Sequence, residues 1–141
     1  MESLNVDSLR EGALILVDTA PIIYTLEAHR RFAARFEPLF RRHEAGEIAL
    51  AVTTVTIAEV LTGPMKAGEE ALARRYRAAL EAWLVVDFTS DIAESAARLR
   101  GRYGLKLPAA IQLASALVIN ADALVTHDRD FDGVTGIQVL A

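Results

Sequence analysis

Two kinds of segment alternate along the chain: short continuous apolar runs, and longer stretches with apolar residues at helical spacing. Short apolar runs bounded by turn residues are typical of strands that are buried on both faces. The runs predict strands at residues 13–17, 48–53, 84–88, 123–126 and 137–140.

The intervening segments predict amphipathic or buried helices. They cover residues 22–27, 30–43, 56–61, 68–83, 91–103 and 108–121. Proline and glycine suggest the boundaries: Pro21 and Pro108 each open a helix, Pro38 kinks or breaks the second one, and Gly63-Pro64 stops the third. An Asp91-x-x-Glu94 pattern resembles an N-terminal cap of the fifth.

Strands that alternate with helices predict an α/β fold, with a mostly parallel sheet covered by helices on both faces. The chain of 141 residues has no internal repeat and no long linker. We therefore expect one domain over residues 1–141. In such sheets, functional groups collect beyond the carboxyl ends of the strands.

Composition narrows the possible classes of protein. Apolar residues make up 52% of the chain and charged residues 24%, which suits a folded core. No apolar run approaches the ~18 residues of a membrane span, and the N-terminus has no signal-peptide pattern. The absence of cysteine excludes disulfides, thiolate zinc sites and cysteine nucleophiles. We expect a cytoplasmic protein without membrane contact.

The charge pattern gives mixed indications about nucleic acid. A net charge of −4 counts against non-specific binding to phosphate backbones. Two stretches are nevertheless rich in arginine: Arg30, Arg31, Arg35, Arg41 and Arg42, then Arg74, Arg75 and Arg77. Solvated helix faces are the preferred interpretation of these clusters, and a surface for RNA or a partner is the alternative.

Acidic residues stand where strands end. Asp18 directly follows the first predicted strand, Asp128 and Asp130 follow the fourth, and Glu59 lies shortly after the second. If these strand ends adjoin, their carboxylates converge, and such a cluster raises its own pKa values unless a cation offsets the charge. Oxygen ligands favour Mg²⁺ or Mn²⁺, which activate water and stabilise charge in phosphodiester cleavage.

Each acid also has a simpler interpretation. Thr56-x-x-Glu59 matches a capping box, in which Glu59 accepts a hydrogen bond from the backbone. Asp18 can be a helix N-terminal acid stabilised by the helix dipole. Asp128 and Asp130 can be ordinary loop acids that bind their own backbone. The joint placement at strand ends favours the cation site, because no single alternative explains it.

Three segments, read in order, resemble the PIN domain family, and more narrowly its VapC-type toxins. They are LILVDTAPIIYTLE, AVTTVTIAEVLTGP and LKLPAAIQLASALVINADALVTHDRDF. The family pattern is a strand-end Asp, a Glu in a T/S-x-x-E-x-x-x-G helix, a helix opening with L-P-D-A, and T-x-D-x-D-F. The corresponding positions here are Asp18, Glu59, Ala109 and Asp128, with Asp130 as a secondary acid.

The resemblance implies a three-layer α/β/α sandwich with a parallel sheet of four to five strands. It also implies a Mg²⁺- or Mn²⁺-dependent ribonuclease that is usually a homodimer inhibited by a cognate antitoxin. Asp18, Glu59 and Asp128, with Asp130, would hold the metal. Thr19 and Thr126 correspond to hydroxyl residues that orient the acids or a water, with helix capping or turn formation as the alternative.

Ala109 departs from the family pattern, which has an Asp there. Pro108 in the first helical turn would aim residue 109 at the same cleft, where a helix dipole favours an anion. Loss of one carboxylate predicts weaker cation binding and impaired catalysis. Either the site is naturally degenerate or an Asp was replaced to disarm a toxic nuclease, and the intact pattern on both sides favours replacement.

Two other classes of function compete with a nuclease. A non-catalytic PIN-like module would act through antitoxin or dimer contacts, with apolar helix faces at Ile22, Tyr24, Phe32 and Phe36 as a docking surface, although core packing is the preferred role for them. A nucleotide- or phosphate-handling enzyme is disfavoured because its glycine-rich motifs are missing. We expect His127 to be a solvent-exposed loop residue.

Overall fold

A computed structural model describes residues 2–141 of the chain. The strands are β1 (Leu14–Val17), β2 (Ala49–Thr53), β3 (Leu84–Val86), β4 (Ala123–Val125) and β5 (Gln138–Leu140). The helices are α1 (Thr19–Leu26), α2 (Ala33–Glu44), α3 (Thr54–Lys66), α4 (Glu70–Glu81), α5 (Ser90–Tyr103) and α6 (Leu107–Val118), with a 3₁₀ turn at Arg129–Phe131.

All five strands belong to one parallel sheet in the order β3-β2-β1-β4-β5. The central strand β1 aligns Leu16 with Ala51 of β2 on one side and with Leu124 of β4 on the other. The prediction of a mostly parallel sheet is therefore confirmed. Because β1, β2 and β4 are neighbours, the segments that leave their carboxyl ends start side by side.

Alternate residues of the central strands supply two separate cores. Ile15 and Val17 face α1 to α4, in a cluster that includes the fully buried Phe36 of α2. Leu16 faces the opposite way, toward α5 and α6, in a second cluster with Leu113. Helices therefore cover both faces, and the three-layer α/β/α sandwich is confirmed. This arrangement explains why the strands are almost uniformly apolar.

Proline has less influence on the helices than the sequence suggested. The sequence predicts that Gly63-Pro64 stops α3, but this helix continues to Lys66. The ring of Pro64 is buried, and the carbonyl groups of Gly63 and Pro64 still accept hydrogen bonds from the Ala67 and Glu69 amides. Helix α2 likewise runs through Pro38 as one element. Tertiary packing compensates for the helix hydrogen bond that a proline cannot donate.

The predicted cap of α5 is wrong by two residues. The N-cap is Thr89, whose Oγ1 accepts a hydrogen bond from the Ile92 amide at 3.2 Å. Asp91 instead lies in the first helical turn, and Glu94 forms an exposed ion pair with Arg98. Threonine is one of the residues that commonly cap helices, because its hydroxyl oxygen can accept from an amide of the first turn.

Asp122 ties the amino end of the central strand to the loop before β4. Its Oδ2 accepts a hydrogen bond from the Leu14 amide at 2.8 Å, and Arg10 donates to the same carboxylate at 3.2 Å. The amide of Leu14 first, and Arg10 to a smaller extent, hold the pKa of Asp122 below its usual range. This carboxylate therefore stabilises the fold at a pH above its unfolded-state pKa, and the stabilisation disappears as the pH falls through the lowered folded-state pKa.

We expect Asp122→Ala to lower the free energy of unfolding by about 1 kcal/mol at pH 7, because the strand amide loses its acceptor. Urea denaturation at pH 7 and at pH 3 measures the effect, which should shrink at the lower pH. Asp87→Ala is the control, since Asp87 is an exposed acid directly after β3. An equal loss at both pH values would contradict the assigned role of the carboxylate.

Among residues 2–141, no helix is both long enough and apolar enough to cross a membrane.

Candidate active site

A cleft of ≈ 450 Å³ opens at the carboxyl ends of the central strands. Its lining includes four positions that the sequence singled out: Asp18, Glu59, Ala109 and Asp128. These residues come from four separate segments, which the strand order β2-β1-β4 and the start of α6 bring to one place. Thr19 also lines the cleft, whereas Asp130 is exposed and lies outside the lining.

Both carboxylate oxygens of Asp18 accept hydrogen bonds. It follows β1 directly and is the N-cap of α1, with Oδ1 accepting from the Thr19 amide at 2.8 Å. Its Oδ2 accepts from the Thr126 hydroxyl at 2.8 Å. A helix-capping role and a place in the cleft therefore coexist in one side chain. Each oxygen keeps a second lone pair, so the capped carboxylate can still bind a cation.

Glu59 does not form the predicted capping box. The N-cap of α3 is Thr53, three residues before Thr56, and its hydroxyl accepts from the Thr56 amide at 3.1 Å. Glu59 lies in the second turn instead, where its exposed carboxylate accepts a hydrogen bond from the Thr19 hydroxyl at 2.9 Å. Thr19 thus connects Glu59 to Asp18: its backbone amide binds one acid and its hydroxyl binds the other.

Asp128 is tied to the same set through Thr126. The hydroxyl of Thr126 donates to Asp18 and accepts from the Asp128 amide at 2.9 Å. The Asp128 side chain caps the 3₁₀ turn, because Oδ1 accepts from the Asp130 amide at 2.9 Å. The loop-acid interpretation therefore describes part of its role. Thr19 and Thr126 together link the three acids of the cleft into one chain of hydrogen bonds.

The electrostatics of the cleft favour a cation. Burial is the main cause that raises the pKa of Asp18, and the charges of Glu59 and Asp128 raise it further. The hydrogen bonds from Thr126 and Thr19 act in the opposite direction and only partly offset these effects. Among the residues that the structure describes, no salt bridge neutralises any of the three acids. The ionised form of Asp18 therefore has no salt-bridge partner among these residues, although burial and the neighbouring acids disfavour its charge.

Ala109 places a methyl group where the other walls carry acids. It is the third residue of α6, follows Pro108 in the first turn, and is 6% exposed. The helix N-cap, Lys106, contributes no side-chain hydrogen bond to the first turn. A side chain at position 109 therefore faces the cleft from the positive end of a helix dipole, a position that favours an anion.

The three acids of the cleft offer carboxylate oxygens, which are suitable ligands for a hard divalent cation. Residues 2–141 contain no group of three or more His, Asp or Glu side chains already arranged to hold a metal. Acids that repel one another are expected to stand apart without a cation. Mg²⁺ commonly takes only one or two carboxylates and keeps several waters. The carboxylate oxygens of Asp18, Glu59 and Asp128 are the kind of donor that such an ion takes, and they line one cleft.

Sequence reasoning missed two features of the cleft wall. His127 is half-buried rather than solvent-exposed: its Nδ1 contacts the Tyr24 hydroxyl at 3.0 Å, and its ring packs edge-on against Phe32 and Phe36. Burial, and to a lesser extent Arg35, lowers the pKa of His127. These partners are about 100 residues away along the chain, so no local pattern indicates them.

The arginine that lines the cleft is Arg129, which lies outside both arginine clusters. Among the clustered residues, Arg41 and Arg77 form exposed ion pairs within their own helices. Arg42 is structural, since it donates to the Val6 and Leu9 carbonyl groups. Solvated faces and structural contacts therefore account for these three arginines.

Solved structures of other proteins share this fold. Residues 15–137 match the PIN domain family, and no curated protein sequence matches the chain. A toxin–antitoxin complex from Klebsiella pneumoniae contains a chain that is 31% identical, with 87% of this chain and 94% of that chain covered and a TM-score of 0.68.

Two less similar structures show the fold. VapC20 of Mycobacterium tuberculosis, described as a sarcin–ricin loop cleaving toxin, is 17% identical over 90% of this chain and 99% of that chain, with a TM-score of 0.67. VapBC-1 from nontypeable Haemophilus influenzae is 22% identical over 89% and 96%, with a TM-score of 0.66. The solved structures that this chain resembles include a toxin–antitoxin complex and VapC-type proteins. The chain therefore belongs to the PIN domain family.

Proposed function

We propose that the protein is a divalent-metal-dependent endoribonuclease of a toxin–antitoxin pair, with its catalysis impaired by Ala109. The observation that carries this proposal is the set of three acids in one cleft, joined by the hydroxyl groups of Thr19 and Thr126. RNA as the substrate is implied by the family resemblance, and it is supported by the similarity to VapC20, which is described as a sarcin–ricin loop cleaving toxin. A cognate antitoxin belongs to the same proposal, since a chain that is 31% identical occurs in a toxin–antitoxin complex. The proposal also includes a homodimer, which the family resemblance implies, and a cytoplasmic location, which the sequence predicts.

In this proposal, Asp18, Glu59 and Asp128 hold the cation, and Asp130 is an outer acid next to Asp128. When bound, Mg²⁺ or Mn²⁺ supplies Lewis-acid activation of water and neutralises charge on the reacting phosphate. The protein itself positions the groups: Thr126 and the Thr19 amide fix Asp18, and the Thr19 hydroxyl fixes Glu59. Glu59 is exposed to the cleft and can accept a proton from the attacking water.

Incubation of a structured RNA with Mn²⁺ tests the proposal, with this chain and its Ala109→Asp variant side by side. We expect weak cleavage by the chain, faster cleavage by the variant, and none by either in excess EDTA. Glu59→Gln in the Ala109→Asp background is the control for contaminating nucleases. Failure of the variant to cleave any RNA with Mn²⁺ would overturn the assignment.

A non-catalytic binding module is the second candidate, and Ala109 is the observation that favours it. Ile22 and Phe36 are not available as a docking surface for it, because both are buried in the core, the role that the sequence favoured. Isothermal titration with Mn²⁺ distinguishes the candidates. A module without catalysis binds no Mn²⁺ either as this chain or as its Ala109→Asp variant.

Arg129 offers a positive charge to a phosphate in an otherwise acidic cleft, so we expect Arg129→Gln to weaken RNA binding. Because the variant neutralises one phosphate fewer, the slope of log K against log salt should fall by about 0.7. Fluorescence anisotropy in EDTA, at several salt concentrations, measures binding without cleavage. Arg98→Gln is the control, since Arg98 lies on α5 in a surface ion pair. Equal effects of the two changes would show that Arg129 acts only through net charge.

A further inference from the structure

A row of buried, hydrogen-bonded polar side chains lies behind the acidic cleft, in a region of the protein that is otherwise apolar. Gln112 of α6 and Thr56 of α3 are 1% and 0% exposed. The Gln112 Nε2 lies 2.7 Å from the Thr56 Oγ1, which lies 2.8 Å from the Thr19 Oγ1. The Thr19 Oγ1 in turn lies 2.9 Å from the Glu59 Oε1 at the cleft surface.

The two residues at the ends of this row, Gln112 and Glu59, determine the direction of every hydrogen bond in it. A side-chain amide nitrogen can only donate, and an ionised carboxylate can only accept. Thr19 must therefore donate its one hydroxyl proton to Glu59, which leaves its oxygen to accept from Thr56. Thr56 in turn donates to Thr19 and accepts from Gln112.

Thr53 completes the set without a conflict. Its hydroxyl donates to the Thr56 Oγ1 at 3.3 Å and accepts from the Thr56 amide at 3.1 Å. The Thr56 oxygen then has two donors, one on each lone pair, and its single proton is committed to Thr19. One orientation of the Thr56 hydroxyl satisfies all of its neighbours.

The Gln112 carboxamide is a costly side chain for a core position. Its Oε1 is buried and has no hydrogen-bond partner among the described residues. A buried acceptor without a partner destabilises a fold, and an apolar side chain of similar volume avoids that cost. Packing alone would favour methionine or leucine here, so the amide donor to Thr56 is the feature that distinguishes glutamine at this site.

We propose that Gln112 and Thr56 are positioning residues, which hold the Thr19 hydroxyl, and through it the Glu59 carboxylate, in one orientation at the cleft. The proposal rests on the proposed function only in taking Glu59 as a cation ligand. Neither residue touches the cleft, whose lining includes Thr19 and Glu59 but not Gln112 or Thr56. Their effect reaches the site through oriented hydroxyl groups.

Thr56→Val tests the proposal, because it keeps the shape of the side chain and removes the hydroxyl. In the metal-free protein, NMR three-bond couplings report the χ1 angle of Thr19. We expect a single rotamer in the unchanged chain and rotamer averaging in Thr56→Val, with the single rotamer restored in Thr56→Ser. Ser115→Ala is the matched control: Ser115 is equally buried on α6 but donates within its own helix, to the Ile111 carbonyl.

Gln112→Met is the second variant and remains informative if Thr56→Val does not fold. We expect an unchanged or higher melting temperature, since the orphan carbonyl is removed, together with partial averaging of Thr19. A purely structural role for Gln112 predicts the reverse: a lower melting temperature and an unchanged Thr19 rotamer. Either a fixed Thr19 in Thr56→Val or this reverse pattern in Gln112→Met would overturn the proposal.

Mn²⁺ titration of the same variants measures the consequence for the site. Outer-shell partners of metal ligands typically contribute 10- to 100-fold in affinity, so we expect about 10-fold weaker binding by Thr56→Val and no change in Ser115→Ala. If the unchanged chain and Ala109→Asp both bind no Mn²⁺, the proposed function fails. The Thr19 couplings, which need no metal, then still decide whether Gln112 and Thr56 position Glu59.

Discussion

Asp18→Asn is expected to lower the Mn²⁺ affinity by about 100-fold or more, because loss of an outer-shell partner alone costs up to about 100-fold. Asp18 is central to the site: both of its oxygens are oriented by hydrogen bonds, and it feels the charge of Glu59 and Asp128. Asparagine keeps the shape and the acceptor toward the Thr19 amide but removes the charge. Isothermal titration calorimetry measures the loss.

The same change should stabilise the metal-free protein. Burial and two nearby acids raise the pKa of Asp18 in the folded state, so the native protein loses stability as the pH rises through the unfolded-state and then the folded-state pKa. Asparagine cannot ionise, so the variant does not lose stability in this way as the pH rises. We expect Asp18→Asn to melt at a higher temperature than the parent at pH 7 in EDTA, with the difference vanishing at low pH. Sites built for binding commonly sacrifice stability in this way.

Asp91→Asn is the matched control for both measurements, because it removes an exposed acid from the first turn of a helix in the opposite layer. It should leave Mn²⁺ affinity unchanged. A gain of stability without a loss of Mn²⁺ affinity in Asp18→Asn would show that the carboxylate cluster is not the cation site.

Ala109→Asp is expected to increase the Mn²⁺-dependent cleavage rate by about 100-fold or more, as for other well-placed acid–base or ligand groups. Ala109 already faces the cleft from the first turns of α6, so the new carboxylate enters at the positive end of a helix dipole. It also adds a fourth acid to a site that has three. Single-turnover cleavage of a labelled RNA measures the rate.

Ala109→Asn separates charge from shape in that experiment. It presents the same volume to the cleft without a carboxylate, so we expect little gain in rate and in Mn²⁺ affinity. Without metal, Ala109→Asp should destabilise the fold, since a fourth carboxylate increases the repulsion within the cleft. An equal rate gain from Asn and Asp would indicate that side-chain volume, rather than ligation, limits this chain.

Local signals in the sequence account for much of the fold. The uniformly apolar runs predict strands buried on both faces, and they correspond to the five observed strands within a few residues. The helix between Leu107 and Val118 follows from Pro108 and the run of small apolar residues behind it. Errors concentrate at helix ends, as at Pro64 and Thr89, because a cap or a break depends on contacts that a local pattern does not contain.

The candidate site was predictable only in part. Asp18, Glu59 and Asp128 follow strands, and the rule for parallel sheets directs attention to such positions. Their convergence depends on β1 lying between β2 and β4, an order that strand sequences do not specify. The resemblance to PIN domains supplied that link and made Ala109 stand out.

Residue identity and spacing were enough to predict the acids, the hydroxyl residues beside them and the missing fourth carboxylate. The connections between these residues follow from the tertiary structure. Thr19 bridges two acids, Thr126 joins Asp18 to Asp128, and Gln112 reaches Thr56 from another helix. Hydrogen bonds of this kind act over about 3 Å between residues far apart in the chain, so their partners exist only once both layers pack against the sheet.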